Sequence, residues 1–331
     1  MEAAPHPRDV FELNGLERQE EAVQEALDRG RMHHAWLLTG PEGVGKASFA
    51  FRVARRLLGA RPAPEYGLLG SSPNDPVSRQ VSARSHPDLL VLERLGEDGK
   101  QRKVIPVDEA RRLPEFFANT PATSPYRVAI IDAADDLNVN SANAVLKTLE
   151  EPPERGVLLL VSHSPGKLLP TIRSRCRRLV FTAPSEELAV NLVRLRADVD
   201  AADAQRLVHM AKGAPGLALR LAGAGALAID DAAEEILRGL AKPDEAALLA
   251  LADGFRGGEG AQRFELLLNR LADRIHEMAL TQAAAGLAEG LDRWAQAWAM
   301  ISQLPGEAEG LNLDRADAFW TVMRELRAAA A

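Results

Sequence analysis

Residues 35–59 read AWLLTGPEGVGKASFAFRVARRLLG, and this stretch decides the fold that the sequence predicts. Four apolar residues form a short buried strand, a glycine-rich turn follows, and an amphipathic helix begins at residue 47. In a phosphate loop, glycines let backbone N–H groups turn onto phosphate oxygens, a lysine neutralises their charge, and the helix N-terminus favours anions. We therefore predict an α/β phosphate-loop domain, a parallel sheet flanked by helices. The predicted nucleotide-binding residues of the loop are Gly40, Gly43, Gly45 and Lys46.

The position after the loop lysine lacks the side chain that ATP hydrolysis needs. A Ser or Thr there binds Mg²⁺ through its hydroxyl, but this chain has Ala47. Ser48 comes one residue late, which turns its hydroxyl about 100° around the helix. We include both positions in the predicted site and expect the site to be degenerate.

A second position of the site is also incomplete. The apolar strand YRVAIID ends in Asp132, the acid that accompanies a phosphate loop and can contact Mg²⁺ through water. An ATPase of this architecture continues with a Glu that polarises the attacking water, and here Ala133 follows. Asp135 and Asp136 are interpreted as caps of the next helix. We expect ATP or ADP binding without hydrolysis to be possible, and no nucleotide to be required.

A third cluster, PTIRSRCRR at residues 170–178, carries four arginines within six residues. It is either a solvated basic loop or a group that grips an anion. An arginine at a domain rim can reach the γ-phosphate of a neighbouring subunit, where such a residue contributes ~10³–10⁵ in rate. Cys176, the one cysteine, is interpreted as a packed side chain, since the sequence offers it no histidine partner.

Composition excludes several classes of protein. The chain has 331 residues, 46% of them hydrophobic and 26% charged, as in ordinary globular proteins. No apolar run approaches the roughly 20 residues that span a bilayer. The N-terminus lacks the pattern of a signal peptide, so we expect a cytoplasmic protein with no membrane partner. A single cysteine excludes an internal disulfide and a cysteine-rich zinc site.

Charge and periodicity divide the chain. Residues 1–183 are nearly neutral, at +1, and contain all the strand signals, whereas residues 184–331 carry −8 and are helical throughout. An acidic half is poorly suited to phosphate backbones, so we expect it to contact protein. We predict three domains: a phosphate-loop domain at 1–183, a helical lid at 184–226 and an all-α domain at 227–331.

Six motifs together resemble one family, and the resemblance is dense over residues 11–220. They are GRMHHAWLLTGPEGVGKA, SHPDLL, IPVDEARRL, RVAIIDAADDLNVNSANAVLKTLEEPP, LLLVSHSPGKLLPTIRSRC and GAPGLAL. The chain resembles the AAA+ subunits of the bacterial DNA polymerase III clamp loader, and within them the delta-prime subunits.

This resemblance implies an AAA+ domain, a helical lid and a helical collar that joins a five-subunit ring with the gamma/tau motor subunits and delta. The sliding clamp and primer–template DNA are indirect partners. Delta-prime subunits do not hydrolyse ATP themselves, although they belong to the DNA polymerase III holoenzyme. Their Ser-Arg-Cys arginine completes the neighbouring motor's ATP site, and this triplet is here Ser174, Arg175 and Cys176.

The chain departs from the family's pattern at two places. Many relatives carry a four-cysteine zinc module, but residues 59–86 contain no cysteine, so we expect no bound metal. The lid's sensor arginine falls near Gly216, and Arg220 lies one helical turn further on. Two alternatives are an active motor subunit of the same loader, and a phosphate-loop kinase or transferase. The kinase predicts a lid inserted within the sheet rather than a helical tail.

Overall fold

The computed structural model describes residues 5–94, 102, 104–257, 260–287 and 290–331. The chain divides into two compact units, of which the first ends at Arg220 and the second spans Leu221–Ala331. The finer division into three domains, with boundaries after residues 183 and 226, stays a prediction.

A five-stranded parallel sheet organises the first unit. Its strands are β1 (Ala35–Thr39), β2 (Leu89–Glu93), β3 (Arg127–Asp132), β4 (Gly156–Ser162) and β5 (Arg177–Val180). They lie in the order β2-β3-β4-β1-β5, so β1 lies between two strands that follow it late in the sequence. The carboxyl ends of parallel strands share one edge, where the loop after β1 and the acid ending β3 meet. The predicted α/β class is confirmed.

The first unit contains α-helices that cover both faces of the sheet and further α-helices that follow β5. They are α1 (Glu17–Asp28), α2 (Lys46–Leu57), α3 (Pro76–Ser82), α4 (Val107–Ala118), α5 (Val139–Glu150), α6 (Pro170–Arg175), α7 (Glu186–Ala197), α8 (Ala201–Met210) and α9 (Pro215–Gly223). The last of these extends three residues past the end of the unit.

Alternation along β3 shows how the sheet separates two cores. Val128 and Ile130 face a cluster that includes α1 and α2. Ala129 and Ile131 face the opposite cluster, formed with α4, α5 and α6. Successive side chains of a strand point to opposite faces, and both faces are covered here. This is why β3 and β4 are continuous apolar runs.

The prediction of irregular structure through residues 60–85 is wrong at α3. Asp75 caps this helix, because its carboxylate accepts hydrogen bonds from the backbone N–H groups of Val77 and Ser78. Pro76 occupies the first turn, where a missing N–H costs nothing. The Pro- and Ser-rich composition that suggests a loop therefore supplies a helix start.

Two arginines of α2 anchor the N-terminal segment. Arg52 and Glu20 form an ion pair buried on both sides, with 2% and 6% of their side chains exposed. The Arg55 guanidinium lies 4.1 Å from the centre of the Phe11 ring. The helix that follows the phosphate loop is therefore bound to residues near the start of the chain.

The second unit is helical. Its helices are α10 (Ala226–Arg238), α11 (Glu245–Asp253), α12 (Gly260–Ala284), α13 (Leu291–Gly310) and α14 (Arg315–Ala330). Phe255 contacts Phe264 and Phe319 edge-on, with ring centres 5.3 and 5.4 Å apart, and all three are fully buried. Within the described ranges, no helix is both long and apolar enough to cross a bilayer.

Candidate nucleotide site and arginine cluster

The predicted phosphate loop connects β1 to α2, and its glycines are needed for its shape. Gly43 and Gly45 have φ angles of +80° and +95°, a backbone conformation that other residues rarely adopt. A Cβ atom on Gly40 would overlap the backbone of Phe181, and one on Gly43 would overlap Leu217. The loop therefore follows a tight path between β5 and α9.

Lys46 points back into its own loop. Its ammonium donates a hydrogen bond to the carbonyl oxygen of Gly40 at 2.6 Å and another to that of Pro41. The side chain is 2% exposed. Burial lowers the pKa of Lys46 to about 8, although Asp132, Glu42 and Asp135 oppose this shift. Two of the three N–H donors of Lys46 are therefore engaged by loop carbonyl oxygens, with which a phosphate would compete.

Asp132 lies at the carboxyl end of β3, beside Glu93 at the end of β2 in the sheet register. Burial and the neighbouring Glu93 carboxylate raise the pKa of Asp132 to about 6, while His6 and Lys46 act in the opposite direction. Glu93 itself pairs with Arg84 at 2.8 Å. The two acids therefore share one strand edge but have different partners.

The interpretation of Asp135 and Asp136 as helix caps is wrong. Asn138 caps α5, since its side chain accepts a hydrogen bond from the Ser141 N–H. Asp135 instead accepts hydrogen bonds from the Ser162 hydroxyl, at 2.8 Å, and from the His163 N–H. Asp136 pairs with Arg94 at 3.0 Å. Local capping rules cannot detect these contacts, because the partners lie at or just after the ends of other strands.

His163 follows β4 and faces the same region as Lys46. Its Nδ1 atom is buried and has no hydrogen-bond partner among the described residues. Burial and the positive charge of Lys46 lower the pKa of His163, against the influence of Glu42, Asp135 and Asp136. The imidazole is therefore held in its neutral form near pH 7.

The N-terminus of α9 contacts the phosphate loop directly. The Gly216 N–H donates a hydrogen bond to the Gly43 carbonyl oxygen at 2.8 Å. One turn later, Arg220 Nη2 lies 2.5 Å from Glu42 Oε1. At the predicted sensor position, Gly216 thus lets the backbone of α9 approach the phosphate loop closely, and Arg220 binds the Glu42 carboxylate of that loop.

A cavity of about 510 Å³ lies between the loop and α9. Its wall includes the segment Pro5–Pro7, the loop residues from Glu42 to Ser48, the ends of β2 and β3, and parts of α7 and α9. Lys46, Ala47, Ser48 and Asp132 all line it, so the structure brings these four residues to one cavity, and their binding of a nucleotide stays a prediction. Gly43 and Gly45 line it as well.

The groups lining this cavity fit a phosphate only in part and do not fit Mg²⁺. The backbone N–H groups of the loop and the Lys46 ammonium are the kinds of group that bind phosphates. Ala47 offers no hydroxyl to a metal, and Ser48 is buried one position further along α2. Within the described ranges, no cluster of His, Cys, Asp and Glu has the arrangement of metal ligands.

The arginine cluster lies outside this cavity. Arg175 ends α6, donates to the Thr171 carbonyl oxygen at 3.0 Å and pairs with Glu150 at 3.1 Å. Ser174 also donates to the Thr171 carbonyl oxygen, at 3.2 Å. Arg175 does not line the cavity, so within this chain it is separate from the phosphate loop. Its side chain is 36% exposed, so part of the guanidinium is accessible to another molecule.

The remaining arginines of the cluster have distinct surroundings. The Arg177 guanidinium lies 4.7 Å from the centre of the Trp36 ring. Arg178 Nε donates to the Thr39 hydroxyl at 3.0 Å, and Arg173 is exposed. The four arginines are therefore not equivalent, which makes each of the other three a useful comparison for Arg175.

Cys176 packs against the core cluster on the α4–α6 face. Burial raises the pKa of its thiol to about 12. A thiol that stays protonated is a poor nucleophile. The position suits a small packed side chain that fixes the end of α6.

Sequence reasoning missed Glu42, His163 and His6 as groups that face the cavity. Glu42 lies inside the quoted loop, and its charge within a phosphate-binding motif is the signal that could have identified it. His6 could not have been found, because it precedes the loop by about 35 residues and reaches the site through the contact of its Nε2 atom with the Glu93 carboxylate (3.5 Å).

Comparison with known proteins places these features in a family. The family model described as "DNA polymerase III, delta subunit" matches residues 15–185, about half of the chain. The DNA polymerase III subunit delta' of Pseudomonas aeruginosa is 38% identical over 198 residues, 60% of this chain and 58% of that protein. The subunit gamma/tau of Mycobacterium bovis is 32% identical over 304 residues, 84% of this chain and 51% of that protein.

Among solved structures, a gamma subunit-related protein of Thermotoga maritima aligns with 96% of this chain and all of that chain, at 20% identity and a TM-score of 0.48. The chain spans about half to three-fifths of the length of the curated relatives named above. The matched region contains the phosphate loop, Asp132 and the Ser-Arg-Cys triplet. The chain therefore belongs to the DNA polymerase III delta-subunit family.

Proposed function

We propose that the chain is the non-hydrolysing stator subunit of a DNA polymerase III clamp loader. In this role it supplies Arg175 to the ATP site of a neighbouring gamma/tau motor subunit. Its partners are gamma/tau and delta in a five-subunit ring, with the sliding clamp and primer–template DNA as indirect partners. The chain requires no nucleotide or zinc of its own.

The observation that carries the proposal is a separation of functions within the first unit. The cavity at the phosphate loop has Ala47 where a Mg²⁺ ligand belongs and Ala133 where a water-orienting acid belongs. The arginine that could act on ATP, Arg175, is partly exposed and outside that cavity. This placement supports a role for Arg175 at a nucleotide held by another molecule.

The chemistry at the neighbouring site follows from the guanidinium. During phosphoryl transfer, negative charge spreads over the oxygens of the γ-phosphate, and a fixed cation with paired donors stabilises it. The bonds to Thr171 and Glu150 use one N–H of each terminal nitrogen. They leave other N–H donors to meet a phosphate. Lysine cannot reproduce this geometry.

Reconstituted loaders test the trans role. Arg175→Ala should leave folding and assembly unchanged, because a partly exposed ion pair contributes ~0–1 kcal/mol. It should lower DNA-stimulated ATPase and clamp loading partially, since other motor sites keep their own arginines, and Arg175→Lys should restore little. Arg173→Ala, Arg177→Ala and Arg178→Ala are the matched controls. Equal small effects at all four positions would mean that the cluster is a solvated basic surface.

An active motor subunit is the second candidate, and one observation favours it. The match to gamma/tau of Mycobacterium bovis extends over 84% of the chain, further than the match to delta'. ATP turnover by the purified chain separates the two candidates. The stator predicts background turnover, whereas steady turnover that disappears in Lys46→Ala would establish a motor.

A further inference from the structure

The charged side chains that line the cavity are already balanced by one another. Among the lining residues that the structure describes, four are cationic and five are acidic, which gives −1 with the histidines neutral: Lys46, Arg94, Arg196 and Arg220 against Glu12, Glu42, Glu93, Asp132 and Asp136. A nucleoside triphosphate brings about four further negative charges. Phosphate sites normally present an excess of positive charge, and this cavity does not.

Each arginine of the cavity is paired with one of its carboxylates. Arg94 binds Asp136 at 3.0 Å, and Arg196 binds Glu12 at 3.1 Å. The shortest of these contacts is that of Arg220 Nη2 with Glu42 Oε1, at 2.5 Å. A phosphate that recruits an arginine here competes with a carboxylate that already holds part of its guanidinium.

Glu42 differs from the other carboxylates in belonging to the phosphate loop itself. It stands between Pro41 and Gly43, the residue whose carbonyl oxygen accepts the Gly216 N–H. Its negative charge acts on Lys46 and on His163, and it favours the charged form of each. Glu42 therefore pairs with Arg220 and also acts electrostatically on Lys46 and His163.

We propose that Glu42 acts as an internal anion of the phosphate loop and reduces its affinity for nucleoside diphosphates and triphosphates. It does so in two ways. It occupies Arg220, the cation that α9 presents to the loop, and it repels the phosphates that Lys46 and the loop N–H groups would bind. This inference concerns the chain's own loop and holds whether or not Arg175 acts on a neighbour.

The size of the effect is set by exposure. The Arg220 and Glu42 side chains are 47% and 57% exposed, so water and salt screen their interaction. Removing one charge beside a bound diphosphate should then change affinity about tenfold, which corresponds to about 1.4 kcal/mol. The change should shrink as ionic strength rises.

The test is binding of a fluorescent ADP analogue, N-methylanthraniloyl-ADP, to the full chain by fluorescence anisotropy, with inorganic pyrophosphate as competitor. Glu42→Gln keeps the shape of the side chain and removes its charge. Glu109→Gln is the matched control, because its ion pair with Arg112 (2.8 Å) is also on the surface but does not line the cavity. A Glu42→Gln/Lys46→Met double variant tests whether the gain arises at the loop.

We expect Glu42→Gln to bind the analogue about tenfold more tightly than wild type at low salt, and pyrophosphate to compete. Glu109→Gln should match wild type, and the double variant should lose the gain. Equal affinities of Glu42→Gln and wild type for the analogue, at any level of binding, would overturn the inference. So would an equal gain in affinity in Glu109→Gln, which would indicate an effect of net charge alone. A gain in affinity that persists in the variant without Lys46 would overturn it as well. Thermal unfolding by circular dichroism verifies that each variant is folded.

Discussion

Asp132 offers a sharp test of how the site affects stability. Its pKa is raised to about 6 in the folded chain, against an ordinary value of 3.8. Between these two values the unfolded chain has lost the proton while the folded chain retains it. The free energy of unfolding of the wild type therefore falls as pH rises from about 4 to 6, and the loss is complete above the folded pKa.

Replacing the carboxyl by an amide removes this penalty. At 1.36 kcal/mol per pKa unit, Asp132→Asn should stabilise the chain by about 3 kcal/mol at pH 8 and by only about 1 kcal/mol at pH 4.5. The difference arises because ionisation of Asp132 stabilises the unfolded chain, and at the lower pH this stabilisation is only part of what it is at pH 8. A gain of this sign at a predicted functional residue fits the general exchange of stability for function.

The assay is urea-induced unfolding of the full chain, followed by the fluorescence of Trp36. Trp36 is the one tryptophan of the first unit, so the three others, Trp294, Trp298 and Trp320, are replaced by phenylalanine in all samples. Asp136→Asn is the control, because Asp136 is paired with Arg94 and its loss should bring no gain. The same stabilisation by Asp132→Asn at both pH values would refute the reasoning.

Three further predictions follow from the fold and the comparisons. Arg52→Met should lower the free energy of unfolding by ~3–5 kcal/mol, because it leaves the Glu20 carboxylate buried without its partner. In chemical denaturation the double variant Glu20→Gln/Arg52→Met should recover most of this loss. No recovery would mean that Arg52 stabilises the chain by packing. Asn138→Ala should lower the free energy of unfolding by ~1 kcal/mol, because α5 loses its N-terminal cap. An equal loss for Asp136→Ala in the same denaturation would contradict the assignment of the cap to Asn138. Deleting residues 227–331 should abolish ring assembly in size-exclusion chromatography while circular dichroism shows the remainder folded, and an intact ring would contradict a collar role.

Residues whose environment is local or periodic were predictable from the sequence. The apolar runs of β3 and β4 indicate strands covered on both faces, and the glycine loop between β1 and α2 fixes the type of fold. The site residues Lys46 and Asp132 were predictable for the same reason, since parallel strands deliver their carboxyl ends to one edge.

Contacts between distant residues were not predictable. The Asp135 carboxylate binds Ser162, 27 residues away, and nothing in the sequence around Asp135 distinguishes this from a helix cap. Glu42 and Arg220 are separated by 178 residues. Their pairing depends on how α9 meets the loop, which no local pattern encodes. The helix at Pro76–Ser82 was missed for a different reason: residues typical of turns also begin helices.

The strand order has a consequence for synthesis on the ribosome. β1 is the first strand made, but both of its neighbours in the sheet, β4 and β5, come late in the sequence. Translation at 5–20 residues per second takes roughly 6–25 s to cover the roughly 120 residues between β1 and the end of β4. During that interval the fully apolar residues 35–38 have neither hydrogen-bonding neighbour. During synthesis β1 therefore waits longer for its first hydrogen-bonding neighbour than β2 or β3 does, so its apolar residues stay unpaired longest among the strands of the sheet.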